Sequence, residues 1–334
     1  MKTTTVGTEQ RADDLIALPR HRVLARLLGR SGLVGVLILL CLAAALISPQ
    51  FLRLSNIVNV LRQMALYGVV SIGMTCVVLT AGIDLSVGSI VGIIAVIATQ
   101  LLNGGMAPIL ALTISLLAGG AIGAFNGLGI TFGRIPAFIM TLGVMVIGRG
   151  LAMTLANGEP ISLSDAAVAS VSWIGSGFLL TIPVPVWIFA AVALLAMLTL
   201  RFTPYGRYIY AVGSNEEAAH LSGIHVLLIK TSVYVVSGVL AALTAVIFVS
   251  RLSVAEPTAG TGIELEAIAI SVIGGASLFG GEGTISGTIV GAAILAVLAN
   301  ILNLAGVSPF TQQIVKGAII IAAVFLEVIK KRKK

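Results

Sequence analysis

Residues 205–223 read YGRYIYAVGSNEEAAHLSG, and this polar stretch lies between the sixth and seventh of ten apolar stretches along the chain. The apolar stretches are long enough to lie in lipid, whereas the quoted segment is too polar to do so. Long unbroken apolar runs predict membrane-spanning helices rather than the alternating strands of a barrel. The quoted stretch is therefore predicted to be a loop outside the membrane, and a polar loop of this length is typical of a segment that receives force or a signal.

The composition also predicts a membrane protein. Hydrophobic residues make up 58% of the 334 positions and charged residues 10%, and the mean hydropathy is +1.11. A soluble domain of this composition would lack enough polar surface to face water. Because every backbone polar group must be satisfied inside hydrocarbon, we predict an all-α membrane protein, a polytopic bundle of about ten transmembrane helices.

A hydrocarbon core of about 30 Å requires about 20 helical residues, and this length defines ten approximate spans. They are 31–48, 57–80, 85–103, 107–131, 136–156, 183–200, 230–250, 264–280, 285–304 and 310–329. The boundaries at 80–85 and 280–285 are the least defined. Glycines there, Gly82, Gly280, Gly281 and Gly283, are equally typical of broken or re-entrant helices.

The distribution of basic residues predicts the orientation. With the N-terminus in the cytoplasm, 15 of the 20 lysines and arginines lie on the cytoplasmic side. They lie in an N-terminal segment (1–30), at Arg134, in or directly after the loop 201–229 (Arg201, Arg207 and Lys230), and in a basic tail (330–334). The excess of positive charge on one side predicts that both termini are cytoplasmic and that 31–329 forms the transmembrane domain. Basic flanks of this kind are typical of a bacterial inner (cytoplasmic) membrane protein.

Two segments contain predicted helix caps. In LTAGIDLSVGS (79–89), Asp84 and Ser86 are predicted to cap the third span by accepting its first N–H groups. In the polar loop, Asn215 or Ser214 is predicted to cap a short helix that begins with Glu216 and Glu217. Gly223 is predicted to end that helix in a left-handed turn.

Small residues recur at helical spacing and predict close helix packing. The three stripes are Gly88 and Gly92; Gly119, Gly123 and Gly127; and Gly283, Gly287 and Gly291. The strings GSIVG (88–92) and GTIVG (287–291) resemble each other, but five residues leave internal symmetry an open question.

Several classes of function are disfavoured. None of the acidic residues lies near the middle of a predicted span, whereas an ion-driven carrier usually keeps a carboxylate there. The chain has no GxxxxGK[ST] phosphate loop and no HExxH, CxxC or GxSxG signature. Cys41 and Cys76 both lie in apolar segments and predict no disulfide framework. We therefore predict a chain that is not itself an enzyme and holds no cofactor or metal, so that any source of energy lies elsewhere.

Three motifs carry a resemblance to a known family. GIDLSVGS (82–89), PTAGTGIELEAIAISVIGGASLFGGEGT (257–284) and EAAHLSG (217–223) resemble the permease subunits of ABC importers, specifically the ribose-type sugar permeases. EAAHLSG matches the EAAxxxG pattern of importer coupling loops. The resemblance extends over about residues 31–329, which makes this region a permease domain with a coupling loop at 201–229. It places the signature at Gly82, Asp84, Ser86 and Gly88.

The resemblance implies import of a monosaccharide, ribose or a related sugar, driven by ATP and Mg on a separate cytoplasmic ABC ATPase. Two permease copies or paralogues would pair in the membrane, and a periplasmic or extracellular substrate-binding protein would deliver the sugar. The contact with the ATPase would be made by Glu216, Glu217, Ala218, Ala219 and Gly223. Docking of the binding protein would use external segments near Arg53, 157–183, 251–266 and 307–309, with Arg53 and Arg251 facing acidic groups of that partner.

Polar residues within the spans are candidates for lining the translocation pathway: Asn126, Thr141, Arg149, Asn300 and Asn303. Amide groups can both donate to and accept from sugar hydroxyls, but polar side chains also bridge neighbouring helices in membranes. Two alternatives remain open. The solute of an ABC permease could instead be a nucleoside, a furanose-like signalling molecule or a branched-chain amino acid, or the protein could be an ion-coupled secondary carrier.

Overall fold

The computed structural model describes residues 30–332, and these residues are mostly helical. The thirteen α-helices of this region are α1 Arg30–Ile47, α2 Leu54–Leu79, α3 Val87–Asn103, α4 Pro108–Thr131, α5 Ala137–Leu155, α6 Asp165–Ser176, α7 Val184–Phe202, α8 Pro204–Ser214, α9 Glu216–Leu221, α10 Val226–Leu252, α11 Ile263–Ile273, α12 Ile285–Leu304 and α13 Pro309–Arg332. The predicted segment 1–30 lies outside the described residues except for its last position, as do the last two residues of the tail.

Each of the ten predicted spans contains one helix, and six of these helices are long and apolar enough to cross a membrane. The six are α2, α4, α5, α7, α10 and α12. Helices α1 and α3 are apolar but shorter. The predicted span 264–280 is helical only over the 11 residues of α11, which is too short to cross a bilayer. The chain from 274 to 284 is irregular, so the helix there is broken.

The helices differ strongly in burial, and this sorts them into central and peripheral elements. In the most apolar 18 residues of α2 and of α10, 67% of the residues are buried inside the protein. The corresponding share is 22% in α4 and in α5. Helix α10 packs against α2, α3 and α4. The two central helices therefore carry most of the internal contacts, while α4, α5 and α7 present leucine and phenylalanine side chains outward.

Two helices lie in segments that were expected to be loops. The connection 157–183 contains α6, which Ser164 caps by accepting the Ala167 N–H. The polar loop 201–229 contains α8 in addition to the predicted short helix. Helix α8 begins with Pro204, since a proline in the first turn of a helix loses no hydrogen bond.

Four short strands complete the part of the chain that the structure describes. Strand β1 (Ile161–Ser162) pairs antiparallel with β4 (Val254–Ala255), and β2 (Phe178–Leu179) pairs antiparallel with β3 (Ile182–Pro183). The first pair joins the chain after α5 to the chain after α10. Two segments that are far apart in sequence are thereby held together at one end of the bundle.

The glycine stripes are sites of close packing, as predicted. A Cβ at Gly119 would lie 2.5 Å from the Gly238 carbonyl oxygen of α10, and a Cβ at Gly123 would overlap the Tyr234 carbonyl oxygen. Gly88 and Gly92 of α3 pack in the same way on the main chain at Gly260 and Pro257. Gly287 and Gly291 of α12 pack on Gly274 and Ile270. The strings GSIVG and GTIVG thus make equivalent contacts, although Gly283 precedes α12 rather than forming part of it.

Candidate functional site

Helices α8 and α9 form a compact unit at the end of the bundle where α2 terminates. The Asn215 side chain accepts the Ala218 N–H at 2.9 Å and caps α9, which confirms the prediction for Asn215. Ser214 instead donates to the Tyr210 carbonyl oxygen at 2.8 Å. Gly223 has φ +84° and ends the turn, also as predicted.

One hydroxyl pair connects α8 to α10. The hydroxyls of Tyr205 and Ser232 lie 2.7 Å apart. Burial is the main cause that raises the pKa of Tyr205 above its ordinary value. The phenol therefore stays protonated at neutral pH and the hydroxyl pair persists.

The predicted coupling residues divide by exposure. Glu217 and Ala218 are exposed, and the neighbouring Leu221 is 81% exposed. Ala219 is buried and packs in the same apolar cluster as Ile209 and Val212 of α8. Helix α9 is therefore anchored to α8 through Ala219, while Glu217, Ala218 and Leu221 remain accessible on its outer surface.

Glu216 has a partner within the chain. Its carboxylate accepts from the Lys230 ammonium group at 2.8 Å. This pair connects the first turn of α9 to α10, so Glu216 helps to fix the position of α9. Glu217 carries the second acidic group of α9 and is also exposed.

Two breaks in the helices lie next to this unit, and we name them the first break (80–86, between α2 and α3) and the second break (274–284, between α11 and α12). Both begin with the same turn. At the first break, Ala81 donates to the Val78 carbonyl oxygen at 2.9 Å and Gly82 to that of Val77 at 3.1 Å. At the second break, Gly275 donates to Val272 and Ala276 to Ser271, both at 2.9 Å. This pair of hydrogen bonds at the end of a helix is the Schellman motif.

The first break contains a buried carboxylate. Asp84 is fully buried, and its Oδ1 accepts from the Ser86 backbone N–H at 3.0 Å and the Ser86 hydroxyl at 2.6 Å. Its Oδ2 accepts from the Ser237 hydroxyl of α10 at 2.8 Å. Asn126 of α4 donates to the Ser86 hydroxyl at 2.7 Å. Asp84 therefore connects α3, α4 and α10 through three hydroxyl and amide groups.

The prediction that Asp84 and Ser86 cap α3 is wrong in detail. Ser86 occupies the N-cap position of α3 but makes no side-chain cap bond. The Ser86 hydroxyl donates to Asp84 and accepts from Asn126. Asp84 therefore binds Ser86 rather than the first turn of the helix. The other signature residues pack tightly: a Cβ at Gly82 would lie 2.6 Å from the Tyr234 hydroxyl, and Gly88 contacts Glu264.

A second carboxylate is also buried. Glu264 lies in the first turn of α11 and is 8% exposed, and its Oε1 accepts from the Gly262 N–H at 3.2 Å. Its Oε2 is buried and has no hydrogen-bond partner among the described residues. The sequence placed Glu264 at the end of a span, but the break after α11 allows that helix to begin inside the bundle beside Gly88. The interior of the bundle therefore contains carboxylates, a feature that the sequence analysis expected of an ion-driven carrier.

The five pathway candidates do not form one cluster. Asn300 and Asn56 exchange amide hydrogen bonds at 2.7 and 2.9 Å, and Asn303 accepts from Gln312 at 2.8 Å. The Thr141 hydroxyl donates to the Ala137 carbonyl oxygen at 2.8 Å within its own helix. Each of these three side chains therefore already bonds another group of the protein.

Asn126 and Arg149 differ from the other three candidates. In the part of the chain that the structure describes, the buried Asn126 Oδ1 and Arg149 Nη2 atoms have no hydrogen-bond partner. A buried polar atom without a partner is costly unless a ligand or water satisfies it. These two candidates retain hydrogen-bonding capacity for a polar solute.

Basic groups gather at the opposite end of the bundle. Arg62 donates to the Ser176 carbonyl oxygen at the end of α6 at 3.0 Å and lies 4.8 Å over the Phe178 ring. Lys316 pairs with Glu266. Arg251 is half-buried, and Arg53 is exposed. The β1–β4 pair brings the predicted docking segments 157–183 and 251–266 together at this end.

Comparison with known proteins identifies the family. The family described as "Branched-chain amino acid transport system / permease component" matches residues 56–324. The ribose import permease protein of Escherichia coli strain K12 is 44% identical over 309 residues, which cover 92% of this chain and 96% of that protein. The ribose import permease protein of Bacillus subtilis strain 168 is 42% identical over 291 residues, 87% of this chain and 90% of that protein.

A relative with a different printed substrate matches over the same extent. The L-arabinose ABC transporter permease protein of Azospirillum brasilense is 35% identical over 309 residues, 92% of this chain and 90% of that protein. No solved structure matches the chain. The predicted resemblance is confirmed: the chain belongs to this family of multi-pass transport-system permease components, together with the ribose-type ABC importer permeases.

Proposed function

We propose that this chain is the transmembrane permease subunit of an ABC importer for a monosaccharide, ribose or a related sugar. Two of the relatives above are named for ribose and one for L-arabinose, both five-carbon sugars. The observation that carries the proposal is identity of 44% over nearly the whole length of a ribose import permease. The capped and exposed α9 supports the ABC mechanism, because it gives the ATPase a rigid element to hold.

The proposed arrangement places the chain in the inner (cytoplasmic) membrane with about ten spans and both termini in the cytoplasm. The permease domain is 31–329, flanked by a cytoplasmic segment (1–30) and a basic cytoplasmic tail (330–334). The six long apolar helices and the excess of basic residues on one side support this topology. In this orientation α8 and α9 lie in the cytoplasm, and the β1–β4 pair lies outside.

Energy would come from a separate ABC ATPase that binds ATP and Mg, so this chain needs no cofactor of its own. Helix α9 would sit in a cleft of the ATPase, with Glu217 and Ala218 on the contact surface and Gly223 fixing the end of the helix. Glu216 and Ala219 would hold α9 in place, because the first is bound to Lys230 and the second is buried. A second permease chain, identical or related, would complete the membrane part.

Outside the membrane, a substrate-binding protein would dock across the β1–β4 pair. Arg53 is exposed at that end of the bundle, and Arg251 is half-buried beside α6. Acidic groups on the partner would complement these two cations and orient it. Affinity for the sugar would reside mainly in that partner.

For the pathway itself we propose Asn126 and Arg149. Each has a buried polar atom without a partner among the described residues, and a sugar hydroxyl can satisfy either one. Asn300 and Asn303 are better explained as bridges to α2 and α13, because their amides are already paired.

The test is uptake by proteoliposomes that contain the complex purified from its own membranes through a tag on this chain, together with its substrate-binding protein. We expect ATP-dependent accumulation of labelled ribose, with competition by unlabelled arabinose or xylose measuring how strict the sugar preference is. Leucine serves as the control for the amino-acid alternative. Uptake of leucine but no sugar would contradict the substrate, and uptake by the chain alone under a proton or sodium gradient would contradict the mechanism.

A further inference from the structure

The last two residues of α8 lie between the two helix breaks. A Cβ at Gly213 would overlap the Leu79 carbonyl oxygen at the end of α2 and would lie 2.7 Å from the Gly281 nitrogen. On the other side, a Cβ at Gly280 would lie 2.6 Å from the Gly213 carbonyl oxygen. The main chain of α8 at Gly213 is therefore packed directly on the main chain of both breaks, and the Ser214 hydroxyl lies against Gly281.

The two breaks are also bonded to each other and to α8. The Gly281 N–H donates to the Leu79 carbonyl oxygen at 3.0 Å, which joins the second break to the end of α2. The Tyr210 hydroxyl of α8 donates to the Gly283 carbonyl oxygen at 2.9 Å. Backbone contacts of this kind transmit displacement better than flexible side chains, because neither partner has rotamers that could absorb the movement.

Each break leads to a helix that starts inside the bundle. The first break continues to Asp84, whose bonds to Ser86 and Ser237 connect the start of α3 to α10. The second break continues to Thr284, which caps α12 by accepting the Gly287 N–H at 3.1 Å. Displacement of α8 would therefore reach the starts of α3 and α12 together.

The connection from α8 to α9 is short and stiff. Asn215 alone separates the two helices; its N–H donates to the Ala211 carbonyl oxygen at 3.1 Å, and its side chain caps α9. Rotation of α9 cannot be absorbed in a flexible loop at this point and must move the end of α8.

We propose that Gly213, Ser214 and Tyr210 form a joint that transmits movement of α9 to both helix breaks at once. They act as positioning residues, since they touch the breaks rather than the transported solute. This inference rests on the proposed function, because it assigns the source of the movement to the ATPase that holds α9. The contact between α8 and the two breaks can nevertheless be tested on the chain alone.

The first experiment measures amide hydrogen exchange of the purified chain with the variant Tyr210→Phe. Loss of its hydroxyl removes the bond to Gly283, so exchange of the peptide covering 277–284 is expected to speed up by about fivefold, the effect of one neutral hydrogen bond. Exchange of the peptide covering 79–86 is expected to rise to a smaller extent, because the Gly281–Leu79 hydrogen bond connects the two breaks. The matched control is Tyr208→Phe, which removes the hydroxyl of an exposed tyrosine on the same helix. Unchanged exchange at both breaks in Tyr210→Phe, or an equal change in the control, would contradict the proposal that these residues form a joint.

The second experiment measures sugar uptake per ATP hydrolysed in the reconstituted complex. Tyr210→Phe is expected to lower this ratio about fivefold while complex assembly and basal ATP hydrolysis stay at the level of Tyr208→Phe. An unchanged ratio in Tyr210→Phe would overturn the joint. If the unmodified complex hydrolyses no ATP and imports no sugar, the proposed function is wrong. The hydrogen-exchange experiment still tests by itself whether α8 holds the two breaks.

A steric variant gives an independent check. Gly213→Ala places a methyl group against Leu79 and is expected to raise exchange at both breaks, whereas Gly143→Ala adds a methyl group in open space on α5 and is expected to leave it unchanged. If Gly213→Ala disturbed only one break, the claim that α8 connects both would be wrong. Should this variant fail to fold, Tyr210→Phe still carries the test.

Discussion

Single residues show how the two breaks differ despite their common turn. Ala81 has φ +59° and Gly275, at the equivalent position of the second break, has φ +88°. The left-handed conformation costs a residue with a Cβ roughly 1–2 kcal/mol, whereas glycine adopts it freely. The first break therefore stores strain that the second break avoids.

This difference predicts opposite effects from exchanging the two residues. Ala81→Gly is expected to stabilise the chain by about 0.5–1 kcal/mol, after allowing for the greater freedom of glycine in the unfolded state. Gly275→Ala is expected to destabilise it by about 1 kcal/mol, since no atom lies near the added methyl group and only the backbone conformation opposes it. Thermal unfolding in detergent measures both. Shifts of the same sign would contradict this account of the turns.

The Asp84 network predicts a larger effect. Asp84→Asn replaces one accepting oxygen by an amide group that faces the donors of Ser86 or Ser237, so the network loses at least one bond. We expect a loss of about 1–3 kcal/mol, again measured by thermal unfolding. Glu159→Gln, at an exposed carboxylate, is the control and should change stability little. Equal stability of Asp84→Asn and the unmodified chain would show that the network contributes nothing.

Sequence reasoning reached part of this detail. It singled out Asp84 and Ser86, although as helix caps rather than as partners of each other. It also assigned the cap of α9 to Asn215 or Ser214, because those signals lie within a few residues. It did not predict that Ser237 would bind Asp84, since the two are separated by 153 positions and nothing local marks a serine in an apolar helix as a partner. Single-residue contacts across the fold require the packed structure.

Helices are held together chiefly by close backbone approach. Along α4, the glycines at 119, 123 and 127 face α10, and added Cβ atoms at all three would meet main-chain atoms of that helix. In lipid, association depends on packing rather than on the exclusion of water. The α4–α10 contact is therefore expected to tolerate a larger residue poorly.

The corresponding prediction compares two glycine substitutions in neighbouring helices. Gly123→Ala is expected to destabilise the chain by about 3 kcal/mol, because the methyl group would overlap the Tyr234 carbonyl group, which cannot rotate away. Gly143→Ala in α5 meets open space and should be neutral or stabilising by up to about 1 kcal/mol. Melting temperatures in detergent give the comparison. A Gly123→Ala variant as stable as Gly143→Ala would show that α4 and α10 are not closely packed.

The helices themselves were largely predictable from sequence. Each apolar run of suitable length became a helix, because lipid leaves the backbone no other way to satisfy its polar groups. Helices α6 and α8 were not predicted, since they are short and amphipathic and lie in polar connections. The length of α11 was also missed: glycines after residue 273 indicated a break, but not that α11 would begin beside Gly88 with Glu264 buried.

At the scale of the whole molecule, uptake and stability measurements distinguish candidate pathway residues from residues with a structural role. Arg149→Ala is expected to lower the rate of ATP-dependent uptake at saturating sugar about tenfold, since a hydrogen bond to a charged group contributes roughly 1.5–3 kcal/mol. The sugar concentration at half-maximal uptake should change little, because the substrate-binding protein sets it. Asn300→Ala removes the amide pair with Asn56 and should lower the melting temperature instead, leaving the uptake rate per folded complex unchanged. If Asn300→Ala lowered that rate and Arg149→Ala did not, the assignment of the pathway would be reversed.

The orientation of α9 relative to the membrane is the central claim, and surface labelling of cysteines tests it most directly. In a chain with Cys41→Ala and Cys76→Ala, Glu217→Cys reports on α9 and Glu159→Cys on the opposite end of the bundle. A membrane-impermeant maleimide applied to intact cells should label position 159 but not 217. After the membrane is opened, position 217 should be labelled, and bound ATPase should protect it. Labelling of position 217 from outside the intact cell would contradict the account.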